Sequence, residues 1–427
     1  MVIRTTKNEV ASFIFVLLLT IVSNDTFLFG SNNNQIMIAI PRYALLGFAI
    51  ILGIKMIVEN RIAIRYYFVA FVFVFLMAAS SIYNHISISL FAIKIATLLA
   101  GFLFCQYYSF EKWSLYFRKT MYFLAICSIL MTLLAYVSPA LIRVLPTATN
   151  TAGVKMYLGF MSGILDVTMG SKFIRCPGVF WEPGVYQIYL NVAIMLSLYS
   201  SHAKKRKHVI VYLIALFFTF STTGYIAAAW IFTTYYAFAK KSDRSIVKSI
   251  MYFCLLLLAF IAALALRYSQ MFSFVFGKLN KTDGSYIARL AGFVINYEIA
   301  IDYPIFGYGA DMGKMAEEFI IRSSASKVIS GWTRHNTNTL MYQFASFGIP
   351  FGLIYLLGIC TFGRQLSKNT LVILSIFGAF VIMFTGENLF SSIFPYILVF
   401  YGIQSIGHSM RSRSGIDKVM LLGDVWQ

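Results

Sequence analysis

The sequence predicts an all-α polytopic integral membrane protein with about 12 transmembrane helices and two long outer loops. Three observations carry that expectation. Hydrophobic residues fill 59% of the 427 positions and charged residues only 12%, where soluble chains carry about 25%. Apolar runs of roughly 20 residues recur along the chain, each long enough to approach the thickness of a bilayer. Basic residues cluster in alternate connections between those runs, within a formal net charge of +19.

The runs centre near residues 19, 48, 74, 97, 128, 191, 215, 231, 257, 347, 378 and 399. Asn24 and Asp25 interrupt the first, and the seventh and eleventh (Val209–Phe220, Leu371–Phe384) are short. The basic N-terminus lacks a convincing cleavage site, so the first run reads as an uncleaved span. Of the 35 Lys and Arg residues, 21 fall in alternate connections: Arg4 and Lys7; Lys55, Arg61 and Arg65; Lys112, Arg118 and Lys119; Lys204–Lys207; Lys240, Lys241, Arg244 and Lys248; Arg364 and Lys368; Arg411, Arg413 and Lys418. The short connections between them carry none. Both termini are therefore expected in the cytoplasm. Two long outer loops, Ser138–Pro183 and Arg267–Arg334, hold 4 and 8 basic residues. The expected organisation is N-terminal helices over 1–137, a first outer loop over 138–183, central helices over 184–266, a second outer loop over 267–334, C-terminal helices over 335–407 and a cytoplasmic tail over 408–427.

Arg42 and Lys94 fall inside spans, near the outer helix ends. Each reads either as a snorkelling side chain or as part of an outer cationic vestibule. The first loop ends in two X-Pro-Gly turns, Cys176-Pro177-Gly178 and Glu182-Pro183-Gly184, which mark a folded turn delivering Arg175 and Glu182 to the membrane surface. A plain Arg175–Glu182 salt bridge is the alternative. In the second loop Ile287, Leu290, Ala291, Val294 and Ile295 follow helical spacing, so an amphipathic helix lying at the interface is expected, with Arg289 on its polar side. Pro304, Gly307 and Gly309 then stop it, as a simple turn or as a backbone cradle for an anion.

The stretch Gly331–Gly348 carries the densest polar band beside an apolar run. If a helix starts there, His335, Thr339 and Tyr342 share one face, with Arg334 and Asn338 beside it. Lipid cannot satisfy such a band, which points to a wet cavity. A helix cap with interfacial anchors competes with that reading. Several chemistries lack support. No DxD pair, P-loop or GxSxG elbow occurs, and only His85 and His335 lie outside. No disulfide framework is evident among the five scattered cysteines. What remains is Arg175, Arg289 and Arg334 with one imidazole. Guanidinium forks suit phosphate, and a histidine takes a proton near neutral pH. That set suits attack of a hydroxyl on a carbon bearing a diphosphate leaving group.

At this point the order of motifs resembles the O-antigen polymerase and ligase superfamily of bacterial envelope enzymes. The resemblance rests on Arg175, Gly178, Phe180 and Pro183; Ser221 and Gly224; Arg289, Pro304, Gly307 and Gly309; and His335, Asn336 and Gly348. It spans about Arg175 to Gly352, while the N-terminal third matches only as generic spans. It implies a GT-C-like membrane glycosyltransferase in the bacterial inner membrane, with both outer loops and the site in the periplasm. It also implies a metal-independent reaction without a cofactor. The implied donor and acceptor are undecaprenyl-diphosphate-linked oligosaccharides, with the bilayer and a chain-length regulator protein as further partners and no nucleic acid. His335 is then the expected base, with Glu182 as second candidate; Arg175, Arg289 and Arg334 bind diphosphate; and Asn336, Asn338, Tyr342, Arg42 and Lys94 position substrate. A polymerase is the favoured member. A ligase moving the glycan to the lipopolysaccharide core is the alternative, and a glycolipid flippase or other transporter is the competitor from another class. A transporter should show internal repeats, which the sequence lacks.

Overall fold

A computed structural model of the chain describes residues 7–23, 26–27, 35–59, 64–149, 153–169, 173–200, 205–239, 284–326, 328–329, 333–387 and 389–414. The expected ninth span, near residue 257, and part of the tail lie outside them. The N-terminal third forms α1 (Lys7–Val22), α2 (Gln35–Val58), α3 (Ile64–Tyr83), α4 (Ile88–Tyr107) and α5 (Phe110–Val137). Within α2 to α5 the stretches Ala39–Val58, Tyr66–Tyr83, Ile88–Tyr107 and Phe110–Val137 are long and apolar enough to cross a bilayer. Shorter apolar helices follow among the described residues, and the protein is a helical membrane protein.

The first long loop corrects the all-α expectation. After the short α6 (Pro139–Arg143), strands β1 (Thr147–Thr149), β2 (Lys155–Gly159) and β3 (Ser162–Leu165) pair antiparallel in the order β1-β2-β3. Each is too short to show a period-2 pattern, and β3 is buried along its whole length, so alternation could not reveal it. Met131 and Ala135 of α5 pack with Tyr157, Ile164 and Cys176, which fastens the sheet to that helix. Gly178, at φ +62°, bridges to Gly163, and Phe180 bridges to Thr26. The turn therefore hangs on both the sheet and the end of α1.

Helix α7 (Pro183–Leu198) is buried at every position. It is followed by α8 (Lys205–Phe217) and α9 (Thr222–Thr234). Beyond the undescribed segment come α10 (Gly284–Asp302), α11 (Met312–Ala325), α12 (Thr339–Phe347), α13 (Ile349–Phe362), α14 (Thr370–Phe384) and α15 (Ile393–Ser414). The run near residue 347 is thus two helices. They break at Gly348, whose φ of +86° few side chains tolerate, and Pro350 restarts the helix.

The turn after α10 locks into that break. Tyr308 N–H donates to Ala345 O at 2.8 Å, Gly309 N–H to Ser346 O at 3.0 Å and Ile349 N–H to Pro304 O at 2.7 Å. Gly307 N–H donates to Tyr303 O at 3.0 Å. The glycine N–H groups are therefore taken, and the anion-cradle reading of this turn falls. A Cβ on Gly307 would overlap the Ser346 carbonyl at a φ of +65°. Gly307→Ala is expected to cost about 1–3 kcal/mol, seen as a lower Tm of the purified protein in detergent.

Helix ends gather at two poles. At one, Lys55 donates to Tyr107 Oη at 2.5 Å, Gln404 to Cys105 O at 3.0 Å and Tyr401 to Tyr108 O at 2.9 Å. At the other, Ser80 donates to Ser346 O at 3.0 Å, Asn84 to Gly307 O at 3.1 Å and Lys94 to Ser391 Oγ at 3.3 Å.

Candidate active site

A cavity of about 640 Å³ opens at the second pole, large enough for a sugar diphosphate. Four segments build its charged wall. The turn before α7 brings Glu182, which is the N-cap residue of that helix. Helix α10 brings Arg289, the non-helical stretch before α12 brings Arg334 and His335, and the α14–α15 connection brings Glu387.

Arg289 is aimed by the packing of its helix. Ala291, Ile295 and Ile299, spaced four apart, are fully buried against Met315 and Phe319 of α11 and Tyr342 and Ala345 of α12. Helix α10 therefore packs one face on α11 and α12, while Phe293, Tyr297 and Ile301 on another face stay exposed. Its Arg289 Nε is buried and has no hydrogen-bond partner among the described residues.

Residues 333–338 form no helix, and α12 starts only at Thr339. His335 therefore does not share a helical face with Thr339 and Tyr342, contrary to the sequence reading. The reason is local. His335 N–H donates to Thr333 Oγ1 at 3.1 Å, Thr337 Oγ1 donates to Ala288 O at 3.3 Å, and the Asn336 amide pairs reciprocally with Asn296 at 2.9 and 3.0 Å. Each bond competes with a helical turn. Asn338 is buried and caps α12, accepting from Met341 N–H at 3.0 Å. That is a structural task where substrate positioning was expected. Tyr342 does line the cavity, stacked on Phe390 with centroids 3.8 Å apart.

Arg175 does not line the cavity; it is half-buried, and its Nε donates to Thr219 O at 3.1 Å. Burial pushes its guanidinium below arginine's usual pKa, and Glu182 and Glu387 act against that shift. Arg289 acts on it as a like charge. Among the described residues no ion pair joins Arg175 to Glu182. Burial also lowers the His335 pKa below the usual 6.5, and Arg334 lowers it further while Glu182 opposes both. Arg289, Arg334, His335 and Glu182 thus line one cavity, and Arg175 is near enough to Glu182 and Arg289 to feel their charges. Arg42 and Lys94 do not line the cavity. Lys94 is only 6% exposed, so the snorkelling alternative fails for it.

Glu387 escaped the sequence reading. It is 5% exposed, and a Cβ on Gly184 would overlap its carboxylate. Thr339 Oγ1 donates to its backbone carbonyl at 2.6 Å. The available signal was an acid beside a glycine in a short connection that carries no basic residue.

Charged side chains gathered on one cavity at a pole of the helix bundle define a helical membrane protein with a polar cavity. Residues 208–357, from α8 through most of α13, match the family described as O-antigen ligase. That segment is similar to the O-antigen polymerase/ligase superfamily, whose members are glycosyltransferase-like enzymes. No curated protein matches it.

Proposed function

We propose that the protein is an O-antigen polymerase that joins undecaprenyl-diphosphate-linked repeat units at the periplasmic face of the bacterial inner membrane. The observation that carries this is the meeting of two arginines, one histidine and two carboxylates on one cavity, with Arg175 close enough to act on both carboxylates and on Arg289. The pole bearing Lys55 is taken as cytoplasmic, by the excess of basic residues in its connections, which leaves the cavity outside. This reading takes the protein as a twelve-span, GT-C-like bundle.

In this reading Arg175, Arg289 and Arg334 hold the donor diphosphate. The acceptor hydroxyl oxygen attacks the anomeric carbon, and the bond from that carbon to the diphosphate oxygen breaks. The electron pair leaves with the diphosphate, whose growing charge the guanidinium groups stabilise. His335 takes the hydroxyl proton, and Glu182 or Glu387 orients the acceptor. A histidine with a lowered pKa is neutral, and so competent as a base, at pH 7. Activity in membranes should therefore be flat at pH 7 and fall as pH drops through a value below 6.5, where the imidazole protonates. His335→Ala should abolish product. A wild-type acid limb that stays flat well below that value excludes the histidine as base.

The description of the matched family favours a second reading, a ligase that moves the finished glycan to lipid A-core. The glycan profile of cells lacking the protein separates the readings. Loss of every chain beyond one repeat unit supports the polymerase. Full-length chains stranded on the carrier lipid indicate the ligase, and units trapped in the cytoplasmic leaflet indicate a flippase.

A further inference from the structure

Behind the Tyr342–Phe390 stack lies a second group of cations. Lys94 Nζ sits 5.6 Å from the Tyr342 ring centroid and 5.7 Å from that of Phe390. It donates to Phe390 O at 3.4 Å and Ser391 Oγ at 3.3 Å, both long bonds for an ammonium group. Arg42 is close enough to act on it electrostatically. Arg42 is the eighth residue of α2 and Lys94 the seventh of α4, so both lie about 10 Å inside the outer helix ends.

The two cation groups differ in their counter-charge. Arg175 has Glu182 and Glu387 nearby, and Arg322 pairs with Asp302 and Glu318. Among the described residues no carboxylate pairs with Lys94 or Arg42. Two like charges in an apolar bundle without an acid are unfavourable unless an anion joins them. The two ring faces offset part of the Lys94 charge and none of the repulsion from Arg42. The direction of access is also visible. Tyr43 and Leu46 beside Arg42 are 73% and 41% exposed, so this side of α2 faces the bilayer, while the aromatic stack separates Lys94 from the cavity. An anion carried on a lipid can approach Arg42 from the membrane, with Lys94, 6% exposed, behind it.

We infer that Lys94 and Arg42 form a second phosphate site, which holds the diphosphate of the acceptor lipid while Arg175, Arg289 and Arg334 hold that of the donor. This rests on the polymerase reading, since a reaction between two carrier-linked units needs two such headgroups side by side. The stacked rings keep the two anions apart, and each site has its own cations.

The test measures how many undecaprenyl diphosphate molecules the full-length protein binds in phosphatidylcholine nanodiscs, by native mass spectrometry. Two per chain are expected for the wild type. One is expected for Lys94→Gln and for Arg42→Gln, with the second affinity at least about tenfold weaker and the Tm unchanged. Lys94→Arg should keep two, and Arg289→Ala should lose the other one. Two molecules on both Lys94→Gln and Arg42→Gln, or a single one on the wild type that only Arg289→Ala removes, overturns the second site and leaves the polymerase reading standing. A wild type that binds none overturns the polymerase reading itself. Loss of the second molecule when phosphatidylglycerol replaces part of the phosphatidylcholine identifies a bulk phospholipid as the occupant and overturns the acceptor role.

Discussion

Arg289→Lys is expected to reduce glycan longer than one repeat unit by at least about a hundredfold while protein level stays unchanged. The charge survives this substitution, so the effect isolates the planar fork. Helix α10 is clamped by Ala291, Ile295 and Ile299, which leaves the position of the side chain's base fixed. Its Nε is buried without a partner among the described residues, a donor held in reserve for something the protein does not itself supply. A lysine places a point charge on a flexible stem and cannot bridge two oxygens of a diphosphate. Arg289→Ala should look the same. Arg334→Lys should be milder, because Arg334 is exposed and solvent can screen and replace it. The chain-length ladder on a gel, read beside an immunoblot of the protein, gives the answer. Long chains at wild-type abundance from Arg289→Lys would remove bidentate binding from the mechanism.

The parts of this molecule that could be read from sequence are those with a strong one-dimensional signature. Helix α10 announced itself by apolar residues three and four apart, and α4 and α5 by long apolar runs, α4's with Lys94 as its only charge and α5's beginning after Arg118 and Lys119. What the periodicity could not show is what covers a face. Ile295 and Ile299 look equally suited to lipid, and only the fold shows α11 and α12 against them. The sheet after α6 lacked a signature because its strands hold 3, 5 and 4 residues. The start of α12 was misplaced because Thr333, Asn336 and Thr337 spend their side chains on non-helical backbone or on Asn296. Lys94 was ambiguous for another reason: a lysine near a helix end can reach outward or inward, and its direction depends on whether Phe390 and Ser391, almost 300 residues away, offer it partners. Glu387 was missed because a lone acid in a short connection resembles any loop residue until Gly184 is brought against it.

That contact supports the second large effect, Gly184→Ala. The change adds one methyl group and removes no charge or hydrogen bond. The methyl would overlap the Glu387 carboxylate, the far end of a flexible side chain, so it is the carboxylate that gives way. Helix α7 is buried along all 16 residues, and the backbone of Glu387 is held by Thr339, whose Oγ1 donates to its carbonyl at 2.6 Å and accepts from Leu389 N–H at 2.8 Å. The carboxylate must therefore swing away from the first turn of α7, where helix N–H dipoles favour a negative charge, and from Arg175, on which it acts. Long-chain product should fall to the level of Glu387→Ala, with a stability loss of about 1–3 kcal/mol from overpacking. The double variant separates the two consequences. Removing the carboxylate from the Gly184→Ala background relieves the overlap, so the Tm should recover toward that of Glu387→Ala, while product should stay absent because the charge is gone. If product returned together with stability, the methyl would have acted through the fold alone and Glu387 would have no part in the chemistry.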